Sequence, residues 1–192
     1  MATVKRLKTD NSVVVVIDIQ DKLLVKIPTA PELIRNVGFL LDVAHTLQVP
    51  VRATEQYPQG LGPTHAEIAR RLPPSIPAKT AFSCCGAEAF LEEIEMLRRP
   101  YVVLVGMETH VCVSQTAFDL LDAGLNVFLP VDALAARGRI DHDTALRRLE
   151  HAGAILTTAE AIAFEWMGDA KHPQFKAVSA LVIARTANSN NV

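Results

Sequence analysis

YVVLVGMETHVCVSQTA, residues 101–117, carries the change from strand to helix on which the fold depends. The unbroken apolar run at 101–105 has the length and β-branched content of a strand buried on both faces, and Gly106 is read as its end. Thr109 can cap a helix whose apolar positions Val113, Ala117, Leu120 and Leu121 recur at helical spacing. Cys112 then falls in the first turn, where unpaired backbone N–H groups point and the helix dipole favours thiolate over thiol. A strand, tight turn and helix with a nucleophile-capable residue at the junction aims that side chain out of the carboxyl edge of a parallel sheet. On this segment alone packing outranks catalysis, because free Cys is among the most often buried residue types.

Working outward, SVVVVID at 12–18 is the most strand-like run in the chain, uniformly apolar and ending on Asp18. A helical stripe follows at 32–47, then a short strand at 50–53. TEQYPQGLGPT at 54–64 reads as a surface loop, and loops at this edge commonly contact ligand. Residues 65–72 suggest a brief helix stopped by Pro73 and Pro74. AKTAF at 78–82 is a weak strand containing Lys79, and residues 88–98 form an amphipathic helix. A fifth strand is expected at 127–131, a helix capped by Asp141 running to Ala152, and a sixth strand at 154–156. Helices at 159–166 and 173–184 precede a polar tail at 186–192. Strands alternating with helices predict a single domain over residues 1–192. Its fold class is α/β, a three-layer α/β/α Rossmann-like fold with a mostly parallel six-stranded sheet. Ligands of such sheets bind at the carboxyl ends of the strands near the reversal of strand order, and Asp18, Lys79 and Cys112 each sit at such an end.

The chain has 192 residues, 49% of them apolar, with formal net charge −2, which argues against disorder, a nucleic-acid surface and a polybasic membrane contact. A small-molecule substrate is the expected partner. No apolar run approaches membrane-spanning length and residues 1–10 lack the apolar core of a signal peptide, so the cytoplasm is the expected location. Cys84, Cys85 and Cys112 are an odd set without metal-ligand spacing, which reads as reduced thiols with no metal and no cofactor. Phe164, Trp166, Met167 and Phe175 form a late apolar cluster that the short terminal helices look too small to bury, which points to a homo-oligomer.

VVVVIDIQ around Asp18, AKTAFSC around Lys79, GMETHVCVSQTAFDLLDAGLNVFLPVDA around Cys112 and the later GAILTT together resemble the isochorismatase-like cysteine hydrolases. TEQYPQGLG resembles the isochorismatase domain-containing subgroup of that family. The resemblance implies an Asp18, Lys79 and Cys112 catalytic triad, a non-proline cis peptide at Met107–Glu108, and homo-oligomers. It implies no metal site here, because residues 54–57 lack the Asp and His set of nicotinamidases and His65 stands alone. In this scheme Asp18 is the base and Lys79 stabilises the thiolate, with the backbone of Cys112 and the Met107–Glu108 turn as the oxyanion site. Gln20, Gln56, Tyr57 and Phe82, in the same segments, are the candidate substrate contacts. A non-catalytic binding or scaffold protein, or a thiol redox sensor using Cys112 with Cys84 or Cys85, are the alternatives from other classes.

Overall fold

The computed structural model describes residues 4–88 and 90–187. Its sheet is parallel throughout. Seven strands contribute: β1 (Ser12–Ile17), β2 (Val51–Gln56), β3 (Ala78–Lys79), β4 (Tyr101–Met107), β5 (Asn126–Pro130), β6 (Leu134–Ala135) and β7 (Ile155–Thr157). The order is β3-β2-β1-β4-β5-β7, with β6 paired to the end of β4. Strand order therefore reverses between β1 and β4, which opens the crevice where ligands of such sheets bind. The expected six strands are all present at shifted boundaries. The additional strand, β6, is only two residues long and leaves no periodicity to read.

The uniform apolarity of β1 and β4 reflects burial on both faces. Val14 and Val16 face one helical layer while Val13, Val15 and Ile17 face the other, and Val103 and Val105 alternate with Val102 and Leu104 in the same way. The first layer holds α2 (Ala30–Thr46), α8 (Ala159–Met167) and α9 (Phe175–Ala187); the second holds α5 (Phe90–Met96), α6 (Ser114–Asp122) and α7 (Arg139–His151). One-turn helices α1 (Asp21–Leu24), α3 (Pro58–Leu61) and α4 (Ala66–Ala69) punctuate the loops at the front of the chain.

Several expectations are corrected. Gly106 does not end β4, which continues through Met107. Its φ of +120° and the position of a hypothetical Cβ, 2.2 Å from the Ile17 carbonyl oxygen, show that the glycine is there to let β1 and β4 approach closely. Residues 54–56 belong to β2 rather than to a loop. Gly138, not Asp141, caps α7. The helix expected at 173–184 runs to Ala187; of the polar tail, residues 188–192 lie outside the described residues.

The late apolar cluster is also largely buried within the chain. Trp166 and Met167 are 4% and 5% exposed, the Trp166 indole N–H donates to Ser12 Oγ at 3.1 Å, and Phe175 packs against the same core. Only Phe164 stays substantially exposed. The three turns and more of α9 supply the cover that the sequence did not reveal.

Candidate active site

Each strand end at the β1–β4 crevice delivers one chemical group. The β1–β2 register pairs Ile17 with Thr54, so the residue after β1, Asp18, emerges beside the end of β2. Asp18 takes a left-handed backbone, φ 53°, unusual for a non-glycine residue and of the kind found at functional sites. Its carboxylate is buried, and each oxygen has a fixed partner. Lys79 Nζ donates to Oδ2 at 2.6 Å, and Thr54 Oγ1 lies 3.0 Å from Oδ1.

Lys79 ends the two-residue strand β3, which pairs with the end of β2. Its ammonium is wholly shielded from solvent. Besides Asp18 it donates to Gln56 Oε1 at 2.7 Å, to the Phe82 carbonyl at 3.0 Å and, more loosely, to the Ala81 carbonyl at 3.4 Å. An ammonium has three protons, and this cradle offers each of them an acceptor in a buried position.

Cys112 is not in the first turn of an α-helix. Residues Thr109–Val113 form a π-helical turn that precedes α6, and Glu108 rather than Thr109 stands at its cap position. The Val111 and Val113 amides both donate to the Glu108 carbonyl, at 3.0 and 3.2 Å. The Thr109 hydroxyl donates instead to the Ala135 carbonyl at 3.0 Å, so the Thr109–His142 contact, 2.9 Å, has His142 Nδ1–H as donor. Burial lowers the His142 pKa, in keeping with a neutral ring. The peptide bond Met107–Glu108 is cis, as the family resemblance implies.

Cys112 is 7% exposed, and its thiol lies near enough to Asp18 to feel the charge of that carboxylate. Burial pushes its pKa up to about 12, the negative charge of Asp18 adds to that, and Lys79 offsets only part of it. The Cys112 side chain is thus held as a neutral thiol, contrary to the thiolate that a helix N-terminus would favour. The Asp18 pKa is raised as well, by burial first, with Lys79 opposing. A thiol facing a carboxylate of raised proton affinity is arranged to hand over its proton locally.

The four candidate substrate contacts separate into two kinds. Gln20 is fully buried: its amide donates to the carbonyls of Gln56, at 3.0 Å, and Gly62, at 2.6 Å, and its Oε1 accepts from the Gln56 N–H at 2.8 Å. Gln56 holds Lys79 through Oε1 and donates from Nε2 to the Thr80 carbonyl at 2.9 Å. These two side chains clamp the loop and the lysine rather than face outward. Tyr57 and Phe82 are half-exposed, and the backbone groups of both touch Lys79. They form an aromatic rim beside the site.

Sequence reasoning missed Thr54 and Thr116, and gave Cys84 only the part of a partner thiol in the redox alternative. Cys84 is wholly buried, its Sγ lies 3.2 Å from Thr54 Oγ1, and its N–H donates to Thr116 Oγ1 at 2.9 Å. Thr116 in turn donates to the Cys112 carbonyl at 2.7 Å. Nothing in the spacing of these residues marks them; packing of separate elements brings them together. His65, which stands alone in the sequence, pairs through Nδ1 with Asp21. Among the described residues no group of three or more His, Cys, Asp or Glu side chains is placed to hold a metal ion.

The Isochorismatase domain profile matches residues 12–161. Isochorismatase domain-containing protein 2 of Homo sapiens is 41% identical over 179 residues, covering 92% of this chain and 85% of that protein. Its Bos taurus counterpart is 46% identical over 153 residues, 79% and 73% of the two chains. Among solved structures, the MAR1 ribonuclease of Caenorhabditis elegans superposes with a TM-score of 0.86 at 41% identity, over 93% of each chain. The Escherichia coli YcaC gene product, an octameric hydrolase of unknown specificity, superposes with a TM-score of 0.88 at 24% identity over 96% and 92% of the chains, a likeness of fold. By the profile match and by relatives of about two-fifths identity over most of its length, this chain belongs to the isochorismatase family.

Proposed function

We propose that the chain is a cysteine-dependent hydrolase of a small amide, carbamoyl or related C–N substrate, working through a Cys112 thioester with Asp18 as base and Lys79 as electrostatic partner. The observation that carries this reading is the buried Asp18 carboxylate, held by the Lys79 ammonium at 2.6 Å and facing the Cys112 thiol at the reversal of strand order.

Transfer of the thiol proton to Asp18 turns a neutral thiol, a carboxylate and an ammonium into a thiolate, a carboxylic acid and the same ammonium. Net charge in the buried site does not change, so the step avoids the cost of creating a new buried charge. The sulfur then attacks the substrate carbonyl carbon, forming the S–C bond while the carbonyl π electrons move to oxygen. The Cys112 N–H and the turn after Met107–Glu108 are the proposed oxyanion donors. Collapse breaks the C–N bond, and the proton held by Asp18 leaves on the amine. Asp18 next takes a proton from water as it attacks the thioester, releasing the acid and restoring the thiol. Tyr57 and Phe82 are proposed to contact the substrate from the rim.

The relative described as a ribonuclease raises RNA as a substrate. A net charge of −2 lacks the excess of cations that phosphate binding calls for, which supports a small neutral substrate instead. A homo-oligomer is proposed too, with Phe164 and Ile183 as exposed apolar groups on the α8 and α9 layer, and the cytoplasm is the proposed location. Light scattering and cell fractionation test these two. Among the described residues no helix is long and apolar enough to cross a membrane.

The main test is a panel of small amides, carbamoyl compounds, esters and short RNA, assayed with wild type and Cys112→Ala, with trapping of the acyl-enzyme by mass spectrometry. An adduct on Cys112 and turnover lost in the variant support the reading. Turnover that survives Cys112→Ala overturns it.

A further inference from the structure

We propose that Thr54, backed by Cys84, is a positioning residue for the Asp18 base: its hydroxyl fixes the carboxylate and holds down the affinity of that carboxylate for a proton. The inference rests on the triad reading above.

Thr54 lies within β2 at its last pairing with β1, opposite Ile17, is 1% exposed, and faces Oδ1, the oxygen that Lys79 does not hold. The direction of each bond follows from proton counting. An ionised carboxylate has no proton to give, so the single hydroxyl proton of Thr54 goes to Asp18 Oδ1. The 3.2 Å contact with Cys84 is then an S–H group donating to the Thr54 oxygen. Cys84 keeps that proton, since burial first and the charge of Asp18 second push its pKa up to about 11. A donated S–H polarises the hydroxyl and strengthens its own donation, the cooperative behaviour of hydrogen-bond chains in a dry interior.

Cys84 is itself anchored to the nucleophile's turn, through its N–H to Thr116 Oγ1 and through Thr116 to the Cys112 carbonyl. Asp18, Thr54, Cys84, Thr116 and the Cys112 carbonyl are therefore joined in one hydrogen-bonded chain. The groups that face Asp18 are Lys79 from β3, Thr54 from β2 and the Cys112 thiol, with Cys84 behind Thr54. Lys79 and Thr54 both favour the ionised carboxylate against the desolvation that opposes it. Losing the hydroxyl leaves Oδ1 buried without its donor and raises the proton affinity of Asp18.

The test reads Cys112 alkylation by iodoacetamide, followed by peptide mass spectrometry, from about pH 4 to pH 9, where the acid limb reports ionisation of the base. Thermal melts accompany each variant. Thr54→Val, which keeps the shape and removes the hydroxyl, is expected to move the acid limb up by about one pH unit, a roughly tenfold slower reaction at a fixed pH below it. Thr54→Ser restores the limb. Cys84→Ala moves it in the same direction by less, and adds nothing in the Thr54→Val background. The proposal is overturned if Thr54→Val melts cooperatively and keeps the wild-type limb while Asp18→Asn abolishes it. Should Thr54→Val not fold, Cys84→Ala decides: an unshifted limb overturns the proposal. An acid limb that survives unchanged in Asp18→Asn overturns the triad reading itself, and this proposal with it.

Discussion

Lys79 Nζ and Asp18 Oδ2 stand 2.6 Å apart with both side chains wholly removed from solvent, although 61 residues separate them in the chain. Desolvation of two such charges is offset only because every proton of the ammonium finds an acceptor and both carboxylate oxygens find donors. A pair of this kind makes removal of one partner far costlier than its net contribution suggests.

Asp18→Asn removes the proposed base and leaves Lys79 buried without a counterion. Turnover of a true substrate should fall by roughly a hundredfold or more, the usual scale for a lost general base. Stability should fall by about 3–5 kcal/mol, the range for a broken buried pair. Denaturant melts and initial rates on the same preparation check both, and an Asp18→Asn protein of wild-type turnover refutes the assignment. Lys79→Ala should move the pH profile of Cys112 alkylation upward, since Lys79 favours the ionised forms of both Asp18 and Cys112. An unmoved profile in a folded variant would remove Lys79 from the triad.

The second prediction concerns which thiol reacts. Cys84 is wholly buried, and Cys85, although more exposed, has its pKa raised by burial first, with the charge of Asp119 adding to it. Cys112 has a raised pKa as well, but it lies beside the buried Asp18 carboxylate, whose own proton affinity is raised so that it can take the thiol proton. Iodoacetamide at neutral pH should therefore label Cys112 first, and Asp18→Asn should slow that labelling without changing the slow labelling of Cys85. Peptide mapping over a time course decides it; Cys85 labelled first contradicts the prediction.

How much of this was legible in the sequence follows from what each feature depends on. Val13–Val16 and 101–105 announce buried strands because burial on both faces demands unbroken apolarity, and Asp18 and Cys112 stand out as polar groups at their ends. Thr54 and Cys84 carry no such mark, since a threonine within a strand and a cysteine in a short turn look the same whether or not a carboxylate lies beside them. The Thr109 hydroxyl was misread as a cap because its acceptor, the Ala135 carbonyl, belongs to a strand too short to show a period. The structural part of Gln20 was equally illegible, because its partners are backbone groups 36 and 42 residues away. The Cys112 turn was expected to favour thiolate from its dipole, while desolvation, which depends on tertiary packing, dominates in the fold.

The third prediction is an alkaline loss of stability. Cys112 and Cys84 have folded-state pKa values pushed to about 12 and about 11 from an ordinary value of 9.0. A group whose pKa is raised on folding contributes its stability in full below the unfolded value and loses it as pH rises toward the folded one. Between about pH 9 and 11 wild type should lose stability, on the order of 2 kcal/mol by pH 10.5 from Cys112 alone by that linkage. Cys112→Ser should lose correspondingly less over the same interval. Urea melts at several alkaline pH values measure the slope, and parallel slopes for the two proteins would contradict the assigned burial of the thiol.

The last prediction follows from the clamp at Gln20. Its side chain ties the segment after β1 to residues 56–62 by donating to two carbonyls and accepting one N–H. Those residues begin with Gln56, the last residue of β2, which holds Lys79, and continue into a loop with the rim residue Tyr57. Gln20→Ala takes the side-chain partner from three part-buried backbone groups, at about 1–3 kcal/mol for each that water cannot reach. Local opening of the loop offers those groups water at lower cost than global unfolding, so the loop should open first. Hydrogen exchange at the Gln56 N–H should accelerate strongly, and limited proteolysis should cut within residues 57–62 before any other site. Because a loosened Gln56 relaxes its hold on the ammonium, the pH profile of Cys112 alkylation should move in the direction given by Lys79→Ala, by a smaller amount. Were Gln20 a substrate contact and no more, Gln20→Ala would raise KM while exchange, proteolysis and the alkylation profile stayed at their wild-type values.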